Sequence, residues 1–280
     1  MGRTLVLIAL LLAVLRRGAN ALPQSREAAS KEVSIDVVVH SPVPLTLTER
    51  RKLKTKMCEF RLDTAAEIVR ELYQDKGYFK AEVVPISTPS INTKALVLQV
   101  NPGRQYHLVG ISWRGATVFP QSELATLIPV RQGELFSRTK FAAGLNGAKK
   151  LYESRGYINF TSVPLPEVDD QAGTIAFEID VDEGEQFHFG ELDVDGMEEA
   201  HREILVSAWQ CLRGRPYNGE DADKFFNRYF RSPKPNIKPG NYTIREIDVH
   251  QLVVNYALRL VPSLRYRVRQ NSQLELVAIP

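Results

Sequence analysis

The spacing of apolar residues between positions 107 and 181 changes from alternation to a helical period and back, and each change marks an element. His107–Trp113 alternates loosely between apolar and polar residues, which is typical of a half-buried strand. Ser122–Ile128 is a short helical segment that ends before Pro129, because proline restricts the residue that precedes it. These positions predict a strand followed by a short helix.

A longer helix follows, and its apolar residues have the i, i+4, i+7 spacing of one helical face. Ser137 is a suitable N-cap for this helix, and Gly156 is a suitable residue to end it. Two strands are then predicted, at Tyr157–Pro164 and Thr174–Val181, with a turn between them. The predicted order is therefore β-α-α-β-β. The apolar face of the longer helix consists of Phe141, Leu145, Ala148, Leu151 and Tyr152.

The same order recurs along the chain with a period near 80 residues. A Leu-Tyr-x-x-x-Gly-Tyr motif at residues 72–78 returns at residues 151–157. Because the tyrosines recur at equivalent places, we expect them to pack in the core rather than to bind a ligand. The residues that define the repeat are Tyr73, Gly77, Tyr78, Gly133, Phe136, Ser137, Tyr152, Gly156, Tyr157, Gly184 and Gly190.

A third copy begins in step and then diverges. The turn Gly133–Ser137 is answered by Gly214–Asn218, and Phe225–Phe230 has a helical pattern, but no Leu-Tyr-x-x-x-Gly-Tyr motif follows. The sequence therefore predicts an α+β protein with three tandem β-α-α-β-β domains, of which the third is divergent. The expected boundaries are 33–104, 105–185 and 186–262, followed by a C-terminal tail at 263–280. In the first copy the predicted elements are Val33–Val39, Leu47–Met57, Leu62–Lys76, Tyr78–Ile86 and Lys94–Val100.

Proline marks one strand of each copy as a sheet edge. Pro85 in the first copy, and Pro164 and Pro166 in the second, lie in the strand after the longer helix. Proline has no N–H to donate to a neighbouring strand, so it is confined to edges. The last strand of each copy has no proline, and we expect it to be central.

The N-terminus has the pattern of an export signal. Arg3 precedes the apolar run Leu5–Leu15, and Ala19-Asn20-Ala21 is a small-x-small cleavage site. As a helix the run rises about 16 Å, well short of the roughly 30 Å of a hydrocarbon core. We therefore predict a signal peptide at residues 1–21 and a flexible leader at 22–32, with an uncleaved anchor as the alternative.

Charge and cysteine content argue against a nucleic-acid-binding protein and against a disulfide-scaffolded fold. The formal net charge of +3 comes from Arg3, Arg16 and Arg17, and the other residues hold 33 basic and 33 acidic side chains. A nearly neutral protein disfavours a nucleic-acid groove. The two cysteines, Cys58 and Cys211, are far apart in helix-patterned segments, so we expect two separate buried thiols and no disulfide scaffold.

The repeated motifs resemble POTRA (polypeptide-transport-associated) domains, above all those of BamA-type outer-membrane assembly factors. The resemblance rests on the β-α-α-β-β unit, the turn at 133–137, the helix end at 151–157 and the Asp-Val-Asp-Glu-Gly junction at 180–190. Family members usually continue into a transmembrane barrel, whereas only 39 residues follow position 241 here. The resemblance thus implies a POTRA array without the barrel, exported to the periplasm at or near the outer membrane.

The resemblance also implies a mode of binding. POTRA-like modules are expected to bind unfolded or nascent outer-membrane proteins, or envelope partner proteins, by strand addition at an edge, with peripheral membrane contact only. A cell-division protein of the FtsQ type, with an N-terminal anchor, is the alternative. Equally open is that the edges are shielded by neighbouring domains or by their own prolines. The candidate edge residues are Lys80, Ala81, Glu82, Val83 and Val84 in the first copy and Asn159, Phe160, Thr161, Ser162 and Val163 in the second.

Motifs for catalysis and metal binding are incomplete. Ser137 and Lys140 match the Ser-x-x-Lys of penicillin-binding enzymes, but the accompanying Lys-Thr-Gly and Ser-Asp-Asn motifs are missing. Asp180–Glu191 departs from a calcium loop because Glu185 stands where glycine is needed. The five histidines have no ligand spacing. We therefore predict no enzyme, cofactor or metal, and keep a Ser-x-x-Lys hydrolase as a remote alternative.

Overall fold

The computed structural model describes residues 36–59, 64–87, 95–196, 198–231, 242–259, 264–268 and 274–278. The predicted signal peptide at 1–21 and leader at 22–32 lie outside the described residues. The first repeat, called unit 1, has the predicted order of elements. These are β1 (Asp36–His40), α1 (Leu47–Glu59), α2 (Ala65–Gln74), β2 (Glu82–Ser87) and β3 (Ala95–Asn101).

Units 2 and 3 repeat the same order. Unit 2 consists of β4 (His107–Arg114), α3 (Gln121–Leu127), α4 (Arg138–Glu153), β5 (Thr161–Asp169) and β6 (Thr174–Asp182). Unit 3 consists of β7 (His188–Asp195), α5 (Glu199–Trp209), α6 (Gly219–Tyr229), β9 (Tyr242–Asp248) and β10 (Val253–Arg259), with the two-residue strand β8 (Phe230–Arg231) directly after α6.

Each unit has one three-stranded sheet with the same topology. The last strand is central, the first strand pairs with it in parallel, and the strand after the longer helix pairs with it antiparallel at the other edge. The fold class is therefore α+β with three tandem units, as predicted. The proline-bearing strands β2 and β5 are edges, and β3 and β6 are central, so the inference from Pro85, Pro164 and Pro166 is confirmed.

Each unit also has its own hydrophobic core between its helices and one face of its sheet. In β6 the residues Ile175, Phe177 and Ile179 face the helices, and their neighbours in sequence face the other side, as period-2 alternation requires. Tyr73 and Tyr152 are completely buried in their cores. In unit 3 the completely buried aromatic residue Trp209 lies in the first helix, α5.

Unit 3 diverges in sequence but not in topology. It lacks the Leu-Tyr-x-x-x-Gly-Tyr motif, yet the strand pair β9–β10 is present and completes the repeat. Within the predicted tail the structure has β11 (Leu264–Val268) and β12 (Leu274–Ala278), an antiparallel pair in which β12 also pairs with β8. One expectation is wrong: Cys211 lies in the turn after α5 and is exposed, not buried. The side chain of Cys58 lies outside the described residues.

Candidate functional site

Two surfaces carry the features of interest, namely the junctions between units and the free edges of the sheets. At both junctions a helix end of one unit contacts the first strand of the next. Tyr106 N donates to Gly77 O at 2.9 Å, and Phe187 N donates to Gly156 O at 2.8 Å. The side-chain amides of Gln105 and Gln186 donate to the carbonyls of Lys76 and Arg155 at 2.8 and 2.9 Å. The repeated motif is thus also the motif that joins the units.

Gly156 shows why the motif requires glycine. Its φ of +91° ends the turn after α4 in the left-handed region. A Cβ atom at this position would lie 2.4 Å from Phe187 O and 3.2 Å from Tyr217 N, both in unit 3. Glycine is therefore needed both for the backbone conformation and for the close approach of the next unit.

Units 1 and 2 each place an apolar side chain against the core of the next unit. Phe79 packs against the unit 2 core, with its ring edge-on to Phe136 at 5.4 Å and to Phe177 at 6.1 Å. Ile158, which follows the second Gly-Tyr pair at the same place, packs against the unit 3 core. No local motif marks these two residues as junction residues, although their equivalent positions in the repeat indicate a shared role.

The first junction also has a polar clamp. Asp75, just after α2, accepts hydrogen bonds from Thr139 N at 2.7 Å, from Thr139 Oγ1 at 2.7 Å and from Ser137 Oγ at 3.2 Å. Arg138 pairs with Glu71 of the same helix α2. At the second junction Ser154 occupies the place of Asp75, and its hydroxyl donates to Leu151 O at 2.7 Å, within its own helix end.

Ser137 acts as a structural cap. Its Oγ accepts from Lys140 N at 3.4 Å and donates to Asp75, and the residue is only 8% exposed. The hydroxyl of the Ser-x-x-Lys match is therefore engaged at the first turn of α4 and at the junction, which is the chemistry of a helix N-cap.

A second contact at the first junction involves the tip of the β5–β6 hairpin. Asp170 pairs with Lys80 at 2.7 Å and accepts from the Tyr106 hydroxyl at 2.6 Å. The hydrogen bond from Lys80 lowers the pKa of the Asp170 carboxyl most, and the hydrogen bond from Tyr106 lowers it further. Lys80 is therefore engaged with unit 2, and it lies in a turn rather than on the predicted edge strand.

The candidate edge residues divide into two groups. Glu82, Val83 and Val84 are the first residues of β2, and Thr161, Ser162 and Val163 are the first residues of β5. The other four precede the strands, because Ala81 N and Phe160 N close turns onto Tyr78 O and Tyr157 O. Their prediction as strand residues is wrong; they are Lys80, Ala81, Asn159 and Phe160.

Two of those four residues belong to the core. Ala81 is 4% exposed and Phe160 is 3% exposed. The Phe160 ring stacks on Tyr152 with ring centroids 4.1 Å apart. Neither side chain is accessible to a partner, and the edge strands themselves begin at Glu82 in unit 1 and at Thr161 in unit 2.

Hydrogen bonding fixes which residues of β5 face outward. His107 lies opposite Thr174, and its N–H donates to Gly173 O at 2.9 Å. In β6, therefore, every second residue from Ile175 onward has its backbone groups bonded to β4, and the residues between them bond to β5. The β5 residues opposite the first set therefore direct their backbone groups away from the sheet. These outward residues are Ser162, Pro164, Pro166 and Val168. Two of the four lack an N–H.

The edge of unit 1 is blunted in a similar way. Pro85, opposite Leu98, takes the place of Pro164, and the register shifts between Pro85 and Ser87. Proline and bulges at an edge strand both hinder pairing with another chain. Unit 1 thus presents the amide of Val83 ahead of its proline, much as unit 2 presents that of Ser162.

The remaining repeat residues shape turns and the unit cores. Gly133, with a φ of +86°, donates to Leu108 O at 2.7 Å, and Phe136 N donates to Tyr106 O, so the turn is fixed to β4. Gly184 forms the turn after β6, and Gly190 leaves room in β7 for the side chain of Asn255. Tyr78 and Tyr157 are half-buried at the borders of their cores.

No helix among the described residues is long and apolar enough to cross a bilayer. Within the same part of the chain, no group of three or more His, Cys, Asp or Glu side chains is placed to hold a metal ion.

Comparison with known proteins agrees with this geometry. Residues 106–184, which include all of unit 2, match the POTRA family model, described as a surface antigen variable number repeat. The solved structure of Haemophilus influenzae BamA POTRA3-5 superposes with a TM-score of 0.55 over 81% of this chain and 94% of that chain, at 19% identity. That likeness is one of fold.

Two curated relatives are similar in sequence. A Treponema pallidum (strain Nichols) protein named for outer membrane protein assembly is 23% identical over 222 residues, which are 75% of this chain and 26% of that protein. Outer membrane protein assembly factor BamA of Buchnera aphidicola is 23% identical over 197 residues, 67% of this chain and 32% of that protein. The chain therefore spans between a quarter and a third of these relatives. Residues 106–184 thus match the POTRA family model, the three tandem units share the fold of solved BamA POTRA domains, and the chain is similar in sequence to part of BamA-type assembly factors.

Proposed function

We propose that this protein is a non-enzymatic periplasmic scaffold in outer-membrane protein assembly that binds extended segments of polypeptides along its sheet edges. The clients are unfolded outer-membrane proteins or envelope partner proteins. One observation carries the proposal: every unit ends its sheet in an exposed strand that pairs with the central strand on one side only. The names of the two relatives, both concerned with outer membrane protein assembly, agree with this role.

Strand addition suits these edges because it depends on main-chain groups. A bound segment gains hydrogen bonds from the edge backbone and needs only mild side-chain complementarity, so one edge accepts many clients. In units 1 and 2 the accessible stretches are short, Glu82–Val84 and Thr161–Val163, because the prolines follow at once. Each such edge alone therefore binds weakly.

The repeat compensates for weak single edges. The polar clamp and the half-buried Phe79 hold units 1 and 2 in one arrangement, so that β2 and β5 are presented at a fixed spacing. Once one edge has captured a segment, a neighbouring edge meets the same client at a high effective concentration. A scaffold of several weak edges can thus retain an unfolded chain and still release it.

The test is the capture of a urea-unfolded, fluorophore-labelled outer-membrane barrel protein on dilution, measured by anisotropy. Ser162→Pro removes an outward N–H and leaves the ladder to β6 intact, so it is expected to weaken capture by roughly two- to fivefold. Ser162→Ala keeps the N–H and serves as the control. Thermal unfolding of both variants should match the wild type. If the wild-type chain captures no unfolded client, the proposed function is wrong.

A further inference from the structure

The edge of unit 3 differs from the other two because it has no proline. The strand β9, Tyr242–Asp248, has an N–H at every residue, and the five residues from Thr243 to Ile247 are all exposed. Among the described residues, no strand pairs with its outer side. We propose that β9 is the principal docking edge of this protein, and that it takes an extended peptide with alternating apolar and polar or basic residues. This inference rests on the proposed function.

Hydrogen bonding identifies the outward positions of β9. His188 N donates to Leu252 O at 2.9 Å, as His107 N donates to Gly173 O in unit 2. The residues of β10 therefore alternate between bonding to β7 and bonding to β9 in the same way as those of β6 alternate between β4 and β5. Three residues of β10 therefore bond to β9: Val253, Asn255 and Ala257. The β9 residues opposite the intervening positions direct their backbone N–H and C=O groups away from the sheet. These outward residues are Tyr242, Ile244 and Ile247.

Two of the three corresponding positions in unit 2 are prolines. Leu258 and Ile179 are equivalent because each lies beside the penultimate residue of the first strand, Val194 or Trp113. Tyr242 lies opposite Leu258, as Pro164 lies opposite Ile179. By the same register Ile244 occupies the place of Pro166. Unit 3 thus offers donors at the two places where unit 2 has removed them.

A bulge aligns two apolar side chains along this edge. Arg245 is an extra residue between Ile244, opposite Tyr256, and Glu246, opposite Asn255. Because of this insertion Ile244 and Ile247 face the same side of the sheet, although they are three residues apart. They are 45% and 44% exposed. An incoming strand would cover both with apolar side chains at alternate positions.

The charges on the strand indicate the polar character of the peptide. Arg245 is directed across the sheet to Asp193 of β7, at 3.7 Å, so its charge is paired within the unit. Glu246 is exposed on the strand, opposite Asn255, and Thr243 lies opposite Ala257 on the same side of the sheet. This arrangement fits lysine, arginine or threonine at the alternate positions of the partner, and disfavours acidic ones.

Ile244→Pro tests the proposal with little risk to the fold, since unit 2 tolerates Pro166 at the same position. The probe is a fluorescein-labelled peptide, Lys-Val-Thr-Val-Lys-Val-Thr-Val-Lys, titrated with the full chain and followed by anisotropy. Ile244→Pro is expected to weaken binding roughly tenfold, because it removes a backbone N–H donor from the edge and leaves a carbonyl group of the bound peptide without a partner. Ile244→Ala keeps the N–H and is expected to cost less. Pro166→Ile should strengthen binding by opening the edge of unit 2.

The outcomes separate this inference from the proposed function. If unfolded barrel protein is captured, and Ser162→Pro weakens capture while Ile244→Pro does not, β9 is not the principal edge and the proposed function stands. If Ile244→Pro weakens binding only as much as Ile244→Ala, the backbone is not the binding element and the inference fails. Sedimentation checks for pairing with a second copy of the chain: a dimer that Ile244→Pro dissociates, with no binding of the peptide, would also overturn it.

Discussion

The carboxylate of Asp75, at the end of a helix in unit 1, caps the first turn of a helix in unit 2 through Thr139. Its two oxygens accept from Thr139 N and Thr139 Oγ1, each at 2.7 Å. A helix N-terminus has unpaired N–H groups that a carboxylate satisfies well. Here the cap comes from a different unit, so the start of α4 depends on how the two units are joined.

Asp75→Ala should therefore lower the free energy of unfolding by about 1 kcal/mol, the usual cost of losing an N-cap partner. Chemical denaturation measures the loss, and hydrogen exchange should accelerate at the amide of Thr139. Ser154→Ala at the second junction is the matched control, since that hydroxyl bonds within its own helix end. Equal effects of the two substitutions would show that Asp75 does not link the units.

Phe79→Ala should destabilise unit 2 although the residue belongs to the chain of unit 1. Loss of a half-buried aromatic ring from that core is expected to cost roughly 2–3 kcal/mol. The chain has two tryptophans, so in a Trp209→Phe background the emission of Trp113 reports unit 2. Val84→Ala, in which a side chain that is 56% exposed is shortened, is the control and should change little. A loss confined to unit 1 would contradict the packing described.

Glu183 should make unit 2 sensitive to acid. Burial of its carboxyl works to raise the pKa, but hydrogen bonds from Thr117, Val118 and Tyr152 outweigh burial and hold the pKa below its ordinary value of 4.5. A lowered pKa contributes stability above pH 4.5, and that contribution is lost as the pH falls through the folded-state pKa. Glu183→Gln should therefore be less stable than the wild type at pH 6, with a smaller difference at pH 3.

The measurement is the free energy of unfolding of both proteins at the two pH values. Glu167→Gln removes an exposed carboxylate from the same unit and serves as the control. Tyr152→Phe should lower stability by about 1 kcal/mol, since it removes the hydrogen bond to Glu183. A difference between wild type and Glu183→Gln that grows towards pH 3 would refute the assignment.

Gly156→Ala should disrupt the second junction more than its backbone conformation alone requires. A left-handed non-glycine residue costs about 1–2 kcal/mol, and the added Cβ atom would also meet Phe187 O at 2.4 Å. Gly133→Ala is the control, because Gly133 has a φ of +86° and nothing within 4 Å of an added Cβ atom. Thermal unfolding should show the larger loss for Gly156→Ala. If the two losses are equal, the close approach of unit 3 contributes nothing.

Periodicity and proline together were enough to predict the repeat and the edge strands. The i, i+4, i+7 pattern from Phe141 gave α4, and Pro164 placed β5 at an edge, because both signals are local. The starts of the edge strands were predicted too early. After Gly156 the chain makes one more turn before Thr161, and Phe160 in that turn is as apolar as a strand residue.

The contacts between units could not be predicted from local patterns. Asp75 looks like an ordinary polar residue after a helix, and its partner Thr139 lies 64 residues away. The strand β9 was missed because the motif that marks its counterparts is absent from unit 3. Its Ile244 and Ile247 are out of phase for simple alternation, and only the bulge at Arg245 brings them to one side.

Phe79 and Ile158 also bear on how such arrays can change in evolution. Each lies in one unit and packs against the core of the next, so a cut between residues 104 and 105 would separate unit 2 from a ring that packs against its core. The units are therefore not interchangeable parts. Gain, loss or exchange of a unit by recombination has to carry the preceding helix end with it, or replace the missing side chain from within.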